Sequence, residues 1–245
     1  MHREKFYDEE IAKLRDSLFR EKSSASAETF NNYFFLLIGG FLQDGQTLLD
    51  IGTGNGYVLL ELLSRFPQYS LNLFGVDNSS MMVCQARKLL GEKALIYLGD
   101  NSKLPYKEDS FDLVTAKNVT SICIPEIKRV LHEKGYFIFR EYGPGKGLVE
   151  ISALFPKERL IRSRNLDYYF SILKENDFEI EIAEQHKVKR NYTPKRLIEV
   201  VKSFPFIEGF SERDEKEILD KFNRSLEEIT SDPLIIVARR KNDKI

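Results

Sequence analysis

Residues 47–56 read Thr47-Leu48-Leu49-Asp50-Ile51-Gly52-Thr53-Gly54-Asn55-Gly56. Five residues of buried-strand character run into three alternating glycines. A helical stripe of Leu59, Leu60, Leu62, Leu63 and Phe66 follows, ended by Pro67. A short apolar run bounded by turn residues fits a strand covered on both faces. Alternating glycines let the chain turn sharply and let a ligand approach the backbone where a Cβ would block it. Ligands of open parallel sheets bind at the carboxyl ends of the strands, where this loop falls. A glycine triplet alone is equally a tight strand-to-helix turn, and spacing has to discriminate. The dinucleotide fingerprint GxGxxG would need its third glycine at position 57, which is Tyr57. No Walker lysine with its following Ser or Thr is present, which excludes a P-loop. The pattern here is DxGxGxG, with an acid two residues ahead of the first glycine.

Outward from the loop the alternation continues. Strands are expected at 71–76, 94–98, 111–115 and 136–140, with helices at 79–90, stopped by Gly91, and at 126–132. Further on, a helix at 167–175 precedes an alternating strand at 178–182; helices follow at 194–204 and 212–229, and an apolar strand at 233–238. Ahead of the loop, Ile11, Leu14, Leu18 and Phe19 fall at helix spacing. A small, polar break at 23–27 then gives way to an apolar helix at 28–41. Strands alternating with helices imply a parallel sheet with helices on both faces and right-handed connections. The expected fold class is α/β: a doubly wound, mostly parallel seven-stranded sheet with an N-terminal helical segment and a helical cap insertion. The segments are 1–45 for the N-terminal helices, 46–184 plus 232–245 for the ligand-binding core, and 185–231 for the cap over its ligand edge.

Composition narrows the function. The 245 residues carry 37 basic and 38 acidic side chains, for a net charge of −1, so no global field draws the chain to nucleic acid or an anionic membrane. Cys84 and Cys123 stand alone in apolar stretches without metal-ligand spacing, which implies buried free thiols and no metal. The charged start MHREKFYDEE lacks a signal-peptide core, and the apolar run 33–42 is interrupted by two glycines and too short to span a bilayer. A cytoplasmic location is expected.

Four segments in order, LLDIGTGNG, LFGVDNSS, YLGDNSKLPYKEDSFDLV and IKRVLHEKGYFIFRE, resemble the class I S-adenosylmethionine-dependent methyltransferases over roughly residues 45–141. The resemblance implies a Rossmann-like domain that holds S-adenosyl-L-methionine and releases S-adenosyl-L-homocysteine. It places Gly52 and Gly54 against the methionine part and Asp50 near its ammonium, directly or through water. Asp77, twenty-one residues past Gly56, would accept from the ribose hydroxyls, with Asn78 beside it. Asp100 would accept from the adenine amine, Asn101 would offer its backbone N–H, and Asn118 would lie at the sulfonium end. Each also has a plain reading: Asp100 as a turn cap, Asp77 as a helix cap at Ser79, Asn118 as a loop stabiliser. The chain departs from the family in a short 118–125 loop and in Lys134-Gly135, where Pro-Gly-Gly is usual.

Methyl transfer from a sulfonium is an in-line displacement that needs positioning and water exclusion more than a protein nucleophile. A base is needed only where the acceptor must lose a proton. Catalytic residues stay unassigned; Glu141, Tyr142 and His186 are the candidates, with Tyr168 and Tyr169 also read as core or rim. Gly143-Pro144-Gly145-Lys146-Gly147 reads as a flexible hinge. Lys117-Asn118-Val119-Thr120 replaces the Asn/Asp-Pro-Pro-aromatic segment of nucleic-acid amino-methyltransferases. The resemblance therefore implies a small organic metabolite as acceptor, and neither nucleic acid nor membrane as partner. The alternative is a catalytically silent S-adenosylmethionine-binding regulatory or partner protein; other chemistry on the same cofactor also stays open.

Overall fold

Thr47–Ile51 forms a strand with four of its five residues buried, and the sheet grows outward on both sides of it. The structure is a computed structural model that describes residues 25–119, 121–161, 164–204 and 206–242. In chain order its elements are α1 (Ala25–Gly39), β1 (Thr47–Ile51), α2 (Tyr57–Arg65), β2 (Asn72–Asp77), α3 (Ser80–Leu90), β3 (Leu95–Leu98), β4 (Phe111–Lys117), α4 (Ile124–Val130) and β5 (Leu131–Tyr142). There follow α5 (Val149–Ser152), α6 (Leu166–Glu175), β6 (Phe178–Gln185), β7 (Val188–Tyr192), α7 (Pro194–Ser203), α8 (Glu212–Lys221), β8 (Glu227–Ser231) and β9 (Pro233–Arg240).

The chain divides into two compact units. The sheet unit takes residues 32–141, 166–184 and those from 235 on; the second unit takes those up to 31, 142–165 and 185–234. Seven strands run in the order β3-β2-β1-β4-β5-β9-β6, and the pairs β2–β3, β1–β2, β1–β4 and β4–β5 are parallel. This is the Rossmann-like, mostly parallel arrangement expected from the alternation. Its order reverses between β1 and β4, the switch point at which open α/β sheets bind ligands. The central strands read as apolar runs because both faces are covered: Leu48, Leu49, Val114, Ala116, Phe137, Ile138 and Phe139 are all buried. Edge strand β3 exposes three of its four residues.

The connection from β3 to β4 is a long loop held from one helix. In α4, Arg129 donates to the carbonyls of Leu104 and Tyr106 (3.1 and 2.7 Å), and Glu126 accepts the Leu104 N–H at 2.7 Å. The two side chains also pair with each other, so the stretch 100–110 is anchored without secondary structure of its own.

The second unit has its own core. Leu148, Ile151 and Phe155 pack with Leu197, Ile198, Val201, Phe206, Ile207, Ile218 and Ile229. Thr193 caps α7 by accepting the Arg196 N–H, and a reciprocal capping box of Ser211 and Asp214 starts α8.

Several expectations need correction. Helical periodicity at 212–229 suggested one helix, but α8 ends at Lys221 and Glu227–Ser231 is a strand, antiparallel to β7. Glu227 accepts the Arg224 N–H and closes the turn, after which Ile229 and Thr230 favour extended backbone. The strand expected at 136–140 starts earlier, because Phe111 already pairs with Leu131 and a bulge in the register carries the chain to Tyr136. Cys84 is not buried: α3 turns Met82, Val83, Ala86 and Leu90 inward and leaves Cys84 exposed, while Cys123 is half-buried. Helix α1 begins three residues ahead of its expected start, within the polar break. The helix expected around residues 11–19 lies outside the described residues.

Candidate functional site

Asp50, on the central strand β1, pairs in register with Thr115 of β4, which places the two side chains at the switch point. The Thr115 hydroxyl donates to Asp50 Oδ1 at 2.8 Å. The other oxygen, Oδ2, is buried and has no hydrogen-bond partner among the described residues. Burial raises the Asp50 carboxyl from an ordinary 3.8 to about 7; the Thr115 hydroxyl and the Lys117 charge oppose that rise, and Asp77 adds to it. An unpaired buried carboxylate oxygen costs free energy unless a donor or cation meets it. The donor set therefore fits a ligand ammonium at this point.

The loop beyond Asp50 is left-handed at Gly52, Gly54 and Gly56, with φ of +63°, +56° and +87°. Gly52 and Gly54 differ in what surrounds them. A Cβ on Gly52 would lie 2.5 Å from Val119 Cγ1, whereas one on Gly54 would meet nothing within 4 Å. Gly52 is thus required by packing, while Gly54 borders open space that a ligand could enter.

Asp77, at the end of β2, ties this loop to the next helix. Its Oδ2 accepts the Gly54 N–H and its Oδ1 the Ser79 N–H, each at 2.9 Å. The cap of α3 is Ser79 itself, whose hydroxyl accepts the Met82 N–H. Asn78 lies in the same turn. Asp100, just past β3, accepts the Ser102 N–H at 2.7 Å, and Asn101 donates to the Ser121 carbonyl at 2.9 Å. Asn118 sits at φ +54° just past β4; its N–H donates to the Arg140 carbonyl and its Oδ1 accepts from Arg140 Nη1 at 2.6 Å. Glu141 is buried and accepts the Val119 N–H at 2.6 Å. The structure thus brings Asp50, Gly52, Gly54, Asp77 and Asn78 together around one loop, and links Asn118 and Glu141 through the chain just past β4.

Thr115, Arg140 and Val119 are partners that reading by motif missed. Thr115 could have been found by register, since the strand pairing alone sets it opposite Asp50. Tyr169 is buried against Phe139, with ring centroids 5.0 Å apart, and Tyr168 is exposed.

The remaining candidates lie in the second unit. His186 is exposed, packs its ring tilted against that of Phe30 with centroids 4.9 Å apart, and donates its backbone N–H to the Pro233 carbonyl. Tyr142 packs edge-on against Phe204. The 143–147 loop, expected to be a flexible hinge, is clamped by the buried Asp232. Its carboxylate accepts the Gly145 and Gly147 N–H groups at 2.6 and 2.7 Å, and its carbonyl accepts that of Gly143. Burial raises the Asp232 carboxyl above its ordinary range against the pull of those N–H donors.

Comparison with known proteins places this geometry in a family. The family described as a methyltransferase domain matches residues 42–203, more than half of the chain. The chain is 25% identical over 210 residues to carboxy-S-adenosyl-L-methionine synthase of Nautilia profundicola, across 82% of this chain and 86% of that protein. It is 32% identical over 109 residues to a ubiquinone/menaquinone biosynthesis C-methyltransferase of Paracoccus denitrificans, across 41% of this chain and 44% of that one. Its fold is similar to that of Haemonchus contortus phosphoethanolamine N-methyltransferase 2, solved with S-adenosyl-L-methionine. The TM-score there is 0.57 at 21% identity, over 86% of this chain and 53% of that one. Among the described residues no helix is long and apolar enough to cross a membrane.

Proposed function

We propose that this chain, which belongs to the class I S-adenosylmethionine-dependent methyltransferases, transfers the methyl group to a small organic metabolite in the cytoplasm by in-line displacement. The observation that carries the reading is the buried, half-satisfied Asp50 carboxylate beside the open flank of Gly54. The bound cofactor supplies an electrophilic methyl group on a positively charged sulfur. The protein's task is then to hold that group and the acceptor in line and to keep water away.

Asp50 Oδ2 is assigned to the cofactor's ammonium and the Gly52–Gly54 backbone to its amino-acid portion. Asp77, whose carboxylate oxygens accept the Gly54 and Ser79 N–H groups, is assigned to the ribose hydroxyls. The two backbone donors orient that carboxylate. Asp100, Asn101 and Asn78 are assigned to the adenosine end and Asn118 to the sulfonium end. Arg140 holds Asn118 in place, and Glu141 holds the following peptide through the Val119 N–H.

A small-molecule acceptor is supported by the quinone-pathway relative and by the segment after β4, which lacks the Asn/Asp-Pro-Pro-aromatic signature of amino-methylation on nucleic acid. The test is a thermal melt with S-adenosyl-L-methionine, S-adenosyl-L-homocysteine and a nicotinamide dinucleotide, followed by a screen of metabolites for release of the homocysteine product. A ligand at a hundred times its dissociation constant adds about 2.7 kcal/mol. A shift with the two sulfur compounds and turnover of one acceptor bear the reading out. Binding without turnover across the panel favours the silent regulatory protein, and a shift with the dinucleotide alone refutes both.

A further inference from the structure

Thr115 stands where a strand covered on both faces would ordinarily carry an apolar residue. Its neighbours on β4, Leu113, Val114 and Ala116, are buried and apolar, and Thr115 is itself fully buried. Its register partners are Asp50 on β1 and Ile138 on β5, so a hydroxyl is enclosed in the middle of the sheet. Burying a hydroxyl is costly unless it is hydrogen-bonded. Here it donates to Asp50 Oδ1 at 2.8 Å, and both side chains are out of contact with solvent.

That bond divides the carboxylate between two tasks. The torsion that turns an aspartate carboxyl is broad and two-fold, so a carboxylate without a partner presents either oxygen over a wide range of angles. Fixing Oδ1 from β4 fixes Oδ2 as well, and Oδ2 is the buried oxygen without a partner among the described residues. A threonine hydroxyl has a single hydrogen to give. Spent on Oδ1, it leaves Oδ2 to a donor that the fold does not supply. A group held in place before its ligand arrives spares the cost of ordering it at binding.

We infer that Thr115 is a positioning residue for the cofactor: its hydroxyl pins Asp50 Oδ1 and so reserves Oδ2, in a fixed direction, for the ligand ammonium. The proposal rests on the methyltransferase reading for the identity of that ligand. Thr115 acts through Asp50 and from another strand, outside the glycine loop and its acids.

The same bond bears on ionisation. A hydroxyl donated to a carboxylate favours the charged form, and Thr115 opposes the rise that burial imposes on Asp50. The charged groups acting on Asp50 are Lys117, farther along β4, which also opposes the rise, and Asp77 at the end of β2, which adds to it. Removing the Thr115 hydroxyl leaves both charges in place, so the ligand-free carboxyl should then keep its proton to a higher pH.

The test compares Thr115→Val, which keeps the side chain's shape and loses the hydroxyl, with Thr115→Ser, which keeps the hydroxyl. S-adenosyl-L-homocysteine is titrated by calorimetry across the neutral range into both, into the native protein, into Asp50→Asn and into the double variant. A thermal melt of each ligand-free protein checks folding. Thr115→Val should bind about tenfold more weakly and Thr115→Ser within about threefold of the native protein. The midpoint of the pH dependence should move up by about one unit in Thr115→Val and stay in place in Thr115→Ser. Added to Asp50→Asn, Thr115→Val should cost less than about twofold, because the two act as one unit. If Thr115→Val does not fold, Thr115→Cys, with a weak thiol donor, should show the same changes at about three- to fivefold. Unchanged affinity and midpoint in Thr115→Val overturn the positioning role. So does a full loss repeated on the Asp50→Asn background, or a Thr115→Ser variant as weak as Thr115→Val, since the hydroxyl would then act by another route or only by packing. A native protein that binds no S-adenosyl-L-homocysteine overturns the methyltransferase reading and the positioning role with it. Native binding with no effect of Thr115→Val overturns the positioning role alone.

Discussion

At the residue scale Asp50 is the group whose chemistry is most constrained. Its carboxyl is raised to about 7 by burial, so in the ligand-free protein it carries its proton over part of the neutral range. An ammonium placed at Oδ2 favours the ionised form, and binding then expels that proton whenever the pH is below about 7. Affinity for S-adenosyl-L-homocysteine should therefore rise with pH and level off, about tenfold weaker at pH 6 than at 7.5. Calorimetry in two buffers of different ionisation enthalpy would show the released proton, and Asp50→Asn should both weaken binding and flatten the profile. Stability without ligand moves oppositely. A carboxyl raised above its unfolded value costs nothing below pH 4, costs increasingly as pH climbs from about 4 to about 7, and costs a constant amount above that. Asp50→Asn, which can still accept from Thr115, should stabilise the ligand-free protein by on the order of 2 kcal/mol at pH 8 and not at pH 4, as read by denaturant melts. The glycines give a sharper contrast. Gly54→Ala places its methyl in open space at φ +56°, and should cost about 1 kcal/mol of strain while abolishing cofactor binding. Gly52→Ala adds a collision with Val119 to the same strain, and should lower the melting temperature clearly more.

At the element scale the alternation of strand and helix was legible because each buried strand announces itself as an apolar run ended by a turn. The acids Asp50, Asp77 and Asp100 were singled out by the resemblance of their segments to a family, and the structure sets them on β1, at the end of β2 and just past β3. Elements defined by partners rather than by period were not. Val188–Tyr192 carries two lysine or arginine side chains and an asparagine, and becomes a strand only through its ladder with Glu227–Ser231, which in turn shares helical spacing with α8. Leu131–Gly135 joins β5 through a single pairing with Phe111 and a bulge that no local pattern records. The 100–110 loop illustrates how far a motif can be read. LPYKEDSFDLV was recognisable as a string, but what fixes it is Arg129, reaching from α4 to the carbonyls of Leu104 and Tyr106. Arg129→Ala strips both carbonyls of their donor and leaves Glu126 without its partner. A loss of about 1–2 kcal/mol is expected in urea melts at unchanged m-value, together with weaker binding of the adenosine end through a loosened Asp100.

At the scale of the whole molecule the candidate cofactor ligands keep to one of the two units. Asp50, Gly52, Gly54, Asp77, Asn78, Asp100, Asn101 and Asn118 all belong to the sheet unit. The sequence marked 185–231 as a segment apart, yet gave no sign that Leu148, Ile151 and Phe155 pack into the same core, because α5 is four residues long and shows no period. Each unit closes its own hydrophobic cluster, so ligand-linked protection should be readable unit by unit in hydrogen exchange. S-adenosyl-L-homocysteine is expected to slow exchange at the backbone amides of 52–56, 77–79 and 100–102, where the candidate ligands and their turn hydrogen bonds lie. The ladder amides of 188–192 and 227–231, in the other unit, should exchange at an unchanged rate. A response to S-adenosyl-L-homocysteine confined to that ladder would remove the cofactor from the glycine loop altogether, however closely the loop matches its family. Protection at 52–56 that disappears in Asp50→Asn, with 100–102 still responding, would assign the ammonium end and the adenine end of the cofactor to opposite ends of one site.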